Sequence, residues 1–208
     1  MKKKQLLTLG NMKKILLPRG YLSWSQIDLW EKSPKRYREK YFLGADQYVT
    51  KEMRFGKKFA KARETGKCDD KKILEIAKSA TAYKNKEYKL ECVVKSGKDE
   101  IPILCYLDSY EDGLVGEDKT GKTPWTQKRA DDHGQIKFYN VALRIITGKA
   151  HKFFIRWFET EEKEKGIITL TGRVETFPVE KSTMDYLKMT ARIIKVAKQI
   201  SEAYQEEF

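Results

Sequence analysis

The chain has 208 residues, of which 40% are hydrophobic, 35% charged and 12% aromatic; this suits a globular protein with a full core and excludes a disordered or low-complexity class. No apolar run approaches the roughly 18 residues needed to span a bilayer. The formal charge of +13 is regional: residues 1–63 hold 17 Lys and Arg against 5 Asp and Glu, and the remainder holds 26 against 25. A basic surface of that kind attracts polyanions such as nucleic acid, although a solvated lysine-rich face gives the same count.

The opening MKKKQLLTLGNMKKILLPRG has the charged start of a signal peptide, but Gly10, Asn11 and two lysines break its apolar stretch and no cleavage site follows. A cytoplasmic protein with no membrane segment is expected. Met12-Lys13-Lys14 repeats the opening pattern and is a second candidate start. Next, YLSWSQIDLWEKSPKRYREKYFLG predicts two short helices. Ser23 or Ser25 caps the first, Ser33-Pro34 restarts the second, and Tyr37 and Tyr41 then lie one turn apart among Lys35, Arg36, Arg38 and Lys40. Interleaved basic and aromatic residues suit a surface that tracks a phosphate backbone and stacks bases, but an amphipathic helix with aromatics in the core has the same pattern. Further helices are expected at about 51–64, with Phe55, Phe59 and Ala62 on one face, and at about 70–83.

The hydrophobic period then changes. YKLECVVK, IPILCYLDSY and LVGEDK read as strands separated by the turn signals Ser96-Gly97-Lys98 and Asp112-Gly113. GQIKFYNVALRIITG returns to helical spacing, HKFFIRWFET and GIITLTGRVETF are two more strands, and a last helix begins at the capping pattern Ser182-x-x-Asp185. Cys68, Cys92 and Cys105 are odd in number and lack C-x-x-C spacing, which argues for small buried hydrophobes.

LVGEDKTGKT carries two motifs. From Gly116 it matches the P-loop pattern G-x-x-x-x-G-K-T, and from Glu117 it reads E-x-K. A P-loop follows a buried strand and opens a helix, so that amides face the phosphates. Here only Leu114 and Val115 precede it, Glu117 and Asp118 would stand where phosphates sit, and Pro124 follows closely. A two-residue Asp112-Gly113 hairpin turn instead makes residues whose numbers sum to 225 face each other. Asp108 then faces Glu117, and alternation puts Lys119 on the same side. A divalent cation would neutralise the two carboxylates, and magnesium prefers such oxygen ligands. Asp118 is awkward in this register, since it falls beside Leu107 on the apolar side. An exposed hairpin face with these residues and no ligand also remains open.

The order of these pieces resembles the PD-(D/E)XK nuclease superfamily, in particular its RecB-like exonuclease branch. The resemblance covers about residues 21–145: the serine-capped helix and proline-led basic-aromatic helix, Asp108 on one strand, Glu117-Asp118-Lys119 on the next, and Gln135 with Tyr139 in Q-x-x-x-Y. It implies an α/β fold with a restriction-endonuclease-like core, a central mixed sheet flanked by helices, and a helical basic N-terminal portion. It implies a phosphodiester hydrolase acting on DNA with Mg2+ or Mn2+, held by Asp108, Glu117 and the main-chain carbonyl of Asp118. In that scheme Lys119 orients or helps deprotonate water and stabilises transition-state charge, Gln135 and Tyr139 complete the catalytic set, and Ser25, Lys35, Arg36 and Arg38 contact DNA.

Two positions depart from the branch. The G-x-x-x-H segment reads GKKFA, with Ala60 where a metal-binding His is usual. Either Glu64, one turn on, substitutes, or metal is held less tightly, or the protein binds DNA without cutting it. Ser33 stands where iron–sulfur members have Cys-Pro, so no iron–sulfur cluster is expected. His133 and His151 read as surface or loop histidines. The organisation expected is one domain over 1–208, comprising a basic leader to 20, a helical portion at 21–85, a core at 86–180 and a helix at 182–208. A homo-oligomer, a recombination or replication partner and an assembly role are left open.

Overall fold

The computed structural model describes residues 13–46, 48–80 and 85–208. Its centre is strand β3 (Asp99–Glu111), whose neighbours explain where a site can form. Strand β2 (Asn85–Ser96) runs antiparallel along nearly the whole of one β3 edge, from Ser96 opposite Asp99 to Asn85 opposite Tyr110. The other edge is shared. Strand β1 (Lys13–Lys14) pairs in parallel with Asp99 and Glu100, Leu22 bridges to Ile103, and β4 (Leu114–Gly121) takes over only at Ser109. Between Leu104 and Asp108 this edge has no strand partner among the described residues, so its polar groups are free for side chains.

The sheet continues through β5 (Lys152–Glu162), parallel to β4, and β6 (Ile168–Val179), antiparallel to β5. The result is a central mixed sheet flanked by helices, as expected. β5 is buried on both faces, as a strand with helices on each side must be. Phe153, Ile155 and Trp157 join the larger core, while Phe158 joins a smaller one with Phe55, Phe59, Ala62, Ile73, Ala77 and Leu170. The larger core receives α1 (Trp24–Lys32), α2 (Pro34–Tyr41), α6 (Gly134–Thr147) and α7 (Thr183–Glu207); the smaller receives α3 (Lys51–Thr65) and α4 (Lys71–Ser79).

Local sequence accounts for the element ends. The Ser33 side chain accepts from the Arg36 amide with Pro34 in the first turn of α2, and Ser182 with Asp185 forms a reciprocal capping box on α7. The Asp112-Gly113 turn has positive φ at both residues, 47° and 81°, which is the two-residue hairpin geometry that Asp-Gly favours. Three differences from the sequence reading stand out. Within the stretch read as leader, Lys13 and Lys14 join the sheet and Ile15 and Leu17 are buried. A short helix, α5 (Gln127–Asp131), follows Pro124. Tyr37 points inward, wholly buried, and its hydroxyl donates to Gln26 Oε1 at 2.9 Å, so this aromatic of the α2 pattern is core, while Tyr41 is only partly buried. Part of the expected 70–83 helix, residues 81–84, and residues 1–12 lie outside the described residues.

The P-loop is excluded by backbone geometry. Residues Leu114–Gly121 form one extended strand in parallel register with β5, and Lys122 pairs with Glu162. No loop exists there to cradle a phosphate.

α6 begins against α1 with almost no space between them. A Cβ added to Gly134 would lie 1.9 Å from the Trp24 indole. Gly134→Ala is therefore expected to displace Trp24 and destabilise the protein by about 1–3 kcal/mol, read from urea unfolding.

Candidate active site

The predicted hairpin register holds for Glu111–Leu114, Tyr110–Val115 and Ser109–Gly116, and there the ladder stops. One step further, β4 diverges from β3. The Asp108 carboxylate fills the gap by accepting the Asp118 main-chain N–H at 2.7 Å, replacing a ladder bond with a charge-assisted one. Asp108 and Glu117 are thus neighbours at a fork in the sheet rather than a regular cross-strand pair.

Glu117 is 2% exposed and fully engaged. Its Oε1 accepts from Lys119 Nζ at 2.5 Å and its Oε2 from the Tyr139 hydroxyl at 2.9 Å. Lys119 Nζ also donates to Gln135 Oε1 at 2.9 Å, and Gln135 Nε2 donates to the Tyr139 oxygen at 2.5 Å. That oxygen lies 2.6 Å from the Tyr106 carbonyl, on the open stretch of β3. Gln135 and Tyr139 are one turn apart on α6, so a single helix face closes the ring of contacts around the strand ends. The Lys119 side chain keeps 29% exposure and, with the partly buried Gln135, is open to a ligand.

The electrostatics follow from burial. Asp108 is raised well above the ordinary carboxylate range, first by burial and then by Glu117, with Lys119 and the Asp118 amide opposing. Burial alone would lower Lys119, but Glu117 and its hydrogen bond, with Asp108 and Asp118, more than offset that and hold the ammonium above its usual value. It stays charged at neutral pH. Tyr139 is pushed well up by burial and the two carboxylates, so it remains a neutral phenol.

Asp118, which the sequence left awkward, has its own pocket of charge. Arg156 on β5 holds it through Nε at 2.7 Å and a second nitrogen at 3.1 Å, and Arg63 on α3 adds a bond at 3.0 Å. Arg63 also donates to the Ala77 and Ala80 carbonyls, which ties α3 and α4 to the strand that carries E-x-K. The Asp118 carboxylate is thus taken up by two guanidinium groups, while its main-chain N–H stays on Asp108 at the fork.

A cavity of about 410 Å3 opens beside Asp108 and Lys119 and is also lined by Ala60, Glu64 and Glu87. Ala60 and Glu64 therefore do reach the site from α3. Glu87 was missed by sequence reasoning. The β2–β3 register puts it across from Asp108, with a φ of 49°, and burial followed by Glu64 and Glu117 raises its carboxyl. The Gly97-Lys98 turn could have found it, since pairs on that hairpin sum to 195, but the strand was expected to start one residue later.

Of the residues predicted to contact DNA, Ser25 lines a groove together with Gln135 and Tyr139. Lys35 and Arg36 are exposed on α2, away from that groove. Arg38 is turned towards α7, 4.0 Å from Glu207, and is not part of it. His133 is a loop residue, as read, but partly buried just before α6, and burial, then Lys119 and Arg129, lower its imidazole to about 3. The cysteines are free thiols, and burial pushes Cys92 up to about 11 and Cys105 to about 12.

No family model and no curated protein matches this chain by sequence. Among solved structures, it superposes on a protein from Eubacterium rectale described as a "Putative exonuclease", with a TM-score of 0.56 over 88% of this chain and 82% of that one at 12% identity. The chain shares that protein's fold. A second match, named SSO0001, has a TM-score of 0.45 at 9% identity, covering 90% of this chain and 77% of that one.

Among the described residues, no group of three His, Cys, Asp or Glu side chains is gathered closely enough to hold a metal by itself. The side-chain donors at the fork are two carboxylates, Asp108 and Glu117. A magnesium ion, which keeps several waters and takes one or two carboxylates, fits such a set. A cavity-lining Asp108 beside the buried Glu117 is also an arrangement that a cation relieves.

Proposed function

We propose that this protein is a metal-dependent DNA nuclease, most simply an exonuclease, of the PD-(D/E)XK type. The observation that carries the reading is Lys119, charged and partly exposed, bridging Glu117 and Gln135 next to Asp108 at the fork of β3 and β4. The fold shared with a protein described as an exonuclease supports it.

Asp108, Glu117 and the Asp118 carbonyl would hold Mg2+ or Mn2+, which would supply Lewis acidity and lower the pKa of a bound water. The chain's own groups do the rest. Lys119 is a fixed cation aimed at the cavity, suited to stabilising charge that builds on the phosphate, and its raised pKa argues against its acting as the base. Gln135 and Tyr139 hold Lys119 and Glu117 in register. Arg63 and Arg156, through Asp118, fix the amide that orients Asp108. Exposed Lys57, Lys58 and Lys61 on α3, with Lys35 and Arg36 on α2, supply a basic surface for the phosphate backbone.

Asp108→Asn separates chemistry from folding. It removes one of two like charges that the metal-free protein buries at a cost, so cleavage is expected to vanish while stability in chelator rises by about 1–2 kcal/mol at neutral pH. The sign follows from the raised carboxyl: the folded form holds its proton to higher pH than the unfolded chain, so the metal-free wild type loses stability as pH rises above the unfolded value of about 4. Thermal melts in chelator across pH 4–8 check this. A variant that melts below wild type across that range would contradict the repelling-pair account.

Ala60 favours the rival reading of a DNA-binding protein that has lost cleavage, because it contributes no ligand to the cavity. The two are separated by incubating the protein with linear and circular DNA in magnesium, manganese or chelator. Tight binding without cleavage in every condition selects the rival.

A further inference from the structure

Strand β2 ends the sheet on one side. Among the described residues no strand pairs with its outer edge, so the main-chain N–H and C=O groups directed away from β3 have no ladder partner there. β6 ends the sheet on the other side and is blunted: it carries Gly172 at a φ of 104° and Pro178, which has no N–H to give. β2 contains neither glycine nor proline, and it pairs with β3 at every position from Tyr88 to Ser96 without a register shift. An open, regular edge of that length is a template for one more strand.

The side chains along this edge are self-complementary. Lys89, Glu91 and Lys95 alternate in sign on one face of the strand, and Lys89 and Glu91 are paired at 2.8 Å while keeping 50% and 65% of their side chains exposed. An antiparallel second copy, with the two-fold axis at Leu90 and normal to the sheet, sets Lys89 of each copy opposite Glu91 of the other. The charges then alternate in sign around the axis. Glu87 faces Val93 and Lys86 faces Val94, so no like charges meet. Moving the axis to Lys89 or to Glu91 sets that residue against its own copy, which is destabilising. Charges that repel an arbitrary strand thus select one register of this one. On the opposite face α6 reaches the same edge. Cys92 Sγ lies 3.9 Å from the Ala142 carbonyl, and Ile146, one helical turn beyond Ala142, is 48% exposed.

We propose that the outer edge of β2 is a homodimer interface: a second copy of this chain pairs antiparallel about Leu90 and joins the two six-stranded sheets into one. β4 leaves from the other edge of β3, so each copy keeps its own fork and the dimer is independent of what the fork does. One strand pair lies at the small end of interface sizes, and dissociation is expected at roughly 1–100 µM.

Sedimentation velocity of the full chain across that range is expected to show monomer giving way to dimer. Lys89→Glu and Glu91→Lys each bring like charges together on both sides of the axis and are each expected to weaken the dimer about 10- to 100-fold. Mixed in equal amounts, the two variants meet opposite charges again, so a heterodimer of near wild-type affinity is expected. The chain carrying both substitutions is expected to recover the homodimer in the same way. Recovery on mixing also requires both variants to be folded. A wild type that stays monomeric throughout, a dimer that survives either reversal, or variants that fail to associate when mixed overturns the proposal.

Discussion

Lys119→Ala is expected to lower metal-dependent cleavage by about 10^2- to 10^3-fold, the loss typical of removing one preorganised donor to a developing negative charge. Lys119 is held in place by two acceptors, Glu117 at 2.5 Å and Gln135 at 2.9 Å, and is the cation at the fork that reaches the cavity. Lys119→Arg should not rescue the rate, because a planar fork cannot occupy the point at which both acceptors converge. DNA affinity should change far less, since the basic surfaces on α2 and α3 are untouched. Single-turnover cleavage and a binding isotherm on the same preparation check both halves. A rate within threefold of wild type would remove Lys119 from the chemistry.

The largest expected loss of stability is at Arg156. Arg156 is 4% exposed and makes two bonds to Asp118, which Arg63 also meets. Arg156→Ala leaves a buried carboxylate with one partner fewer, a change that costs about 3–5 kcal/mol. For a chain of this size that lowers Tm by roughly 6–20 °C. Adding Asp118→Asn to the variant removes the stranded charge and should recover part of the loss; urea unfolding of the single and double variants measures it. If the pair instead adds to the single-variant loss without any recovery, the network is not held by this charge.

The surroundings of Asp118 show why some of these placements are legible in the sequence and others are not. The Asp-Gly turn set the hairpin register, and the 3.6-residue spacing put Gln135 and Tyr139 on one face, because both are local rules that tertiary context did not override. The environment of Asp118 was not legible. It depends on Arg63, 55 positions away, and on Arg156, 38 positions away, and no short-range pattern links them. Glu87 was hidden for a related reason, since the far end of β2 is fixed by β3 rather than by its own composition. The opening lysines misled in another way: Lys13 and Lys14 look like a solvated leader, yet a parallel strand edge needs only their backbone, and Ile15 and Leu17 beside them supply the core contact. Tyr37 followed the bland reading, turning a candidate stacking residue into packing.

The fork of β3 and β4 is proposed to cut DNA with a divalent metal. The direct measurement follows an end-labelled linear DNA incubated with the protein in magnesium, in manganese and in chelator, beside Lys119→Ala. The strand is expected to be shortened in metal, to stay intact in chelator and to be nearly untouched by the variant. DNA that is bound yet intact in both metals, or cutting that persists in chelator at the same rate, would contradict it.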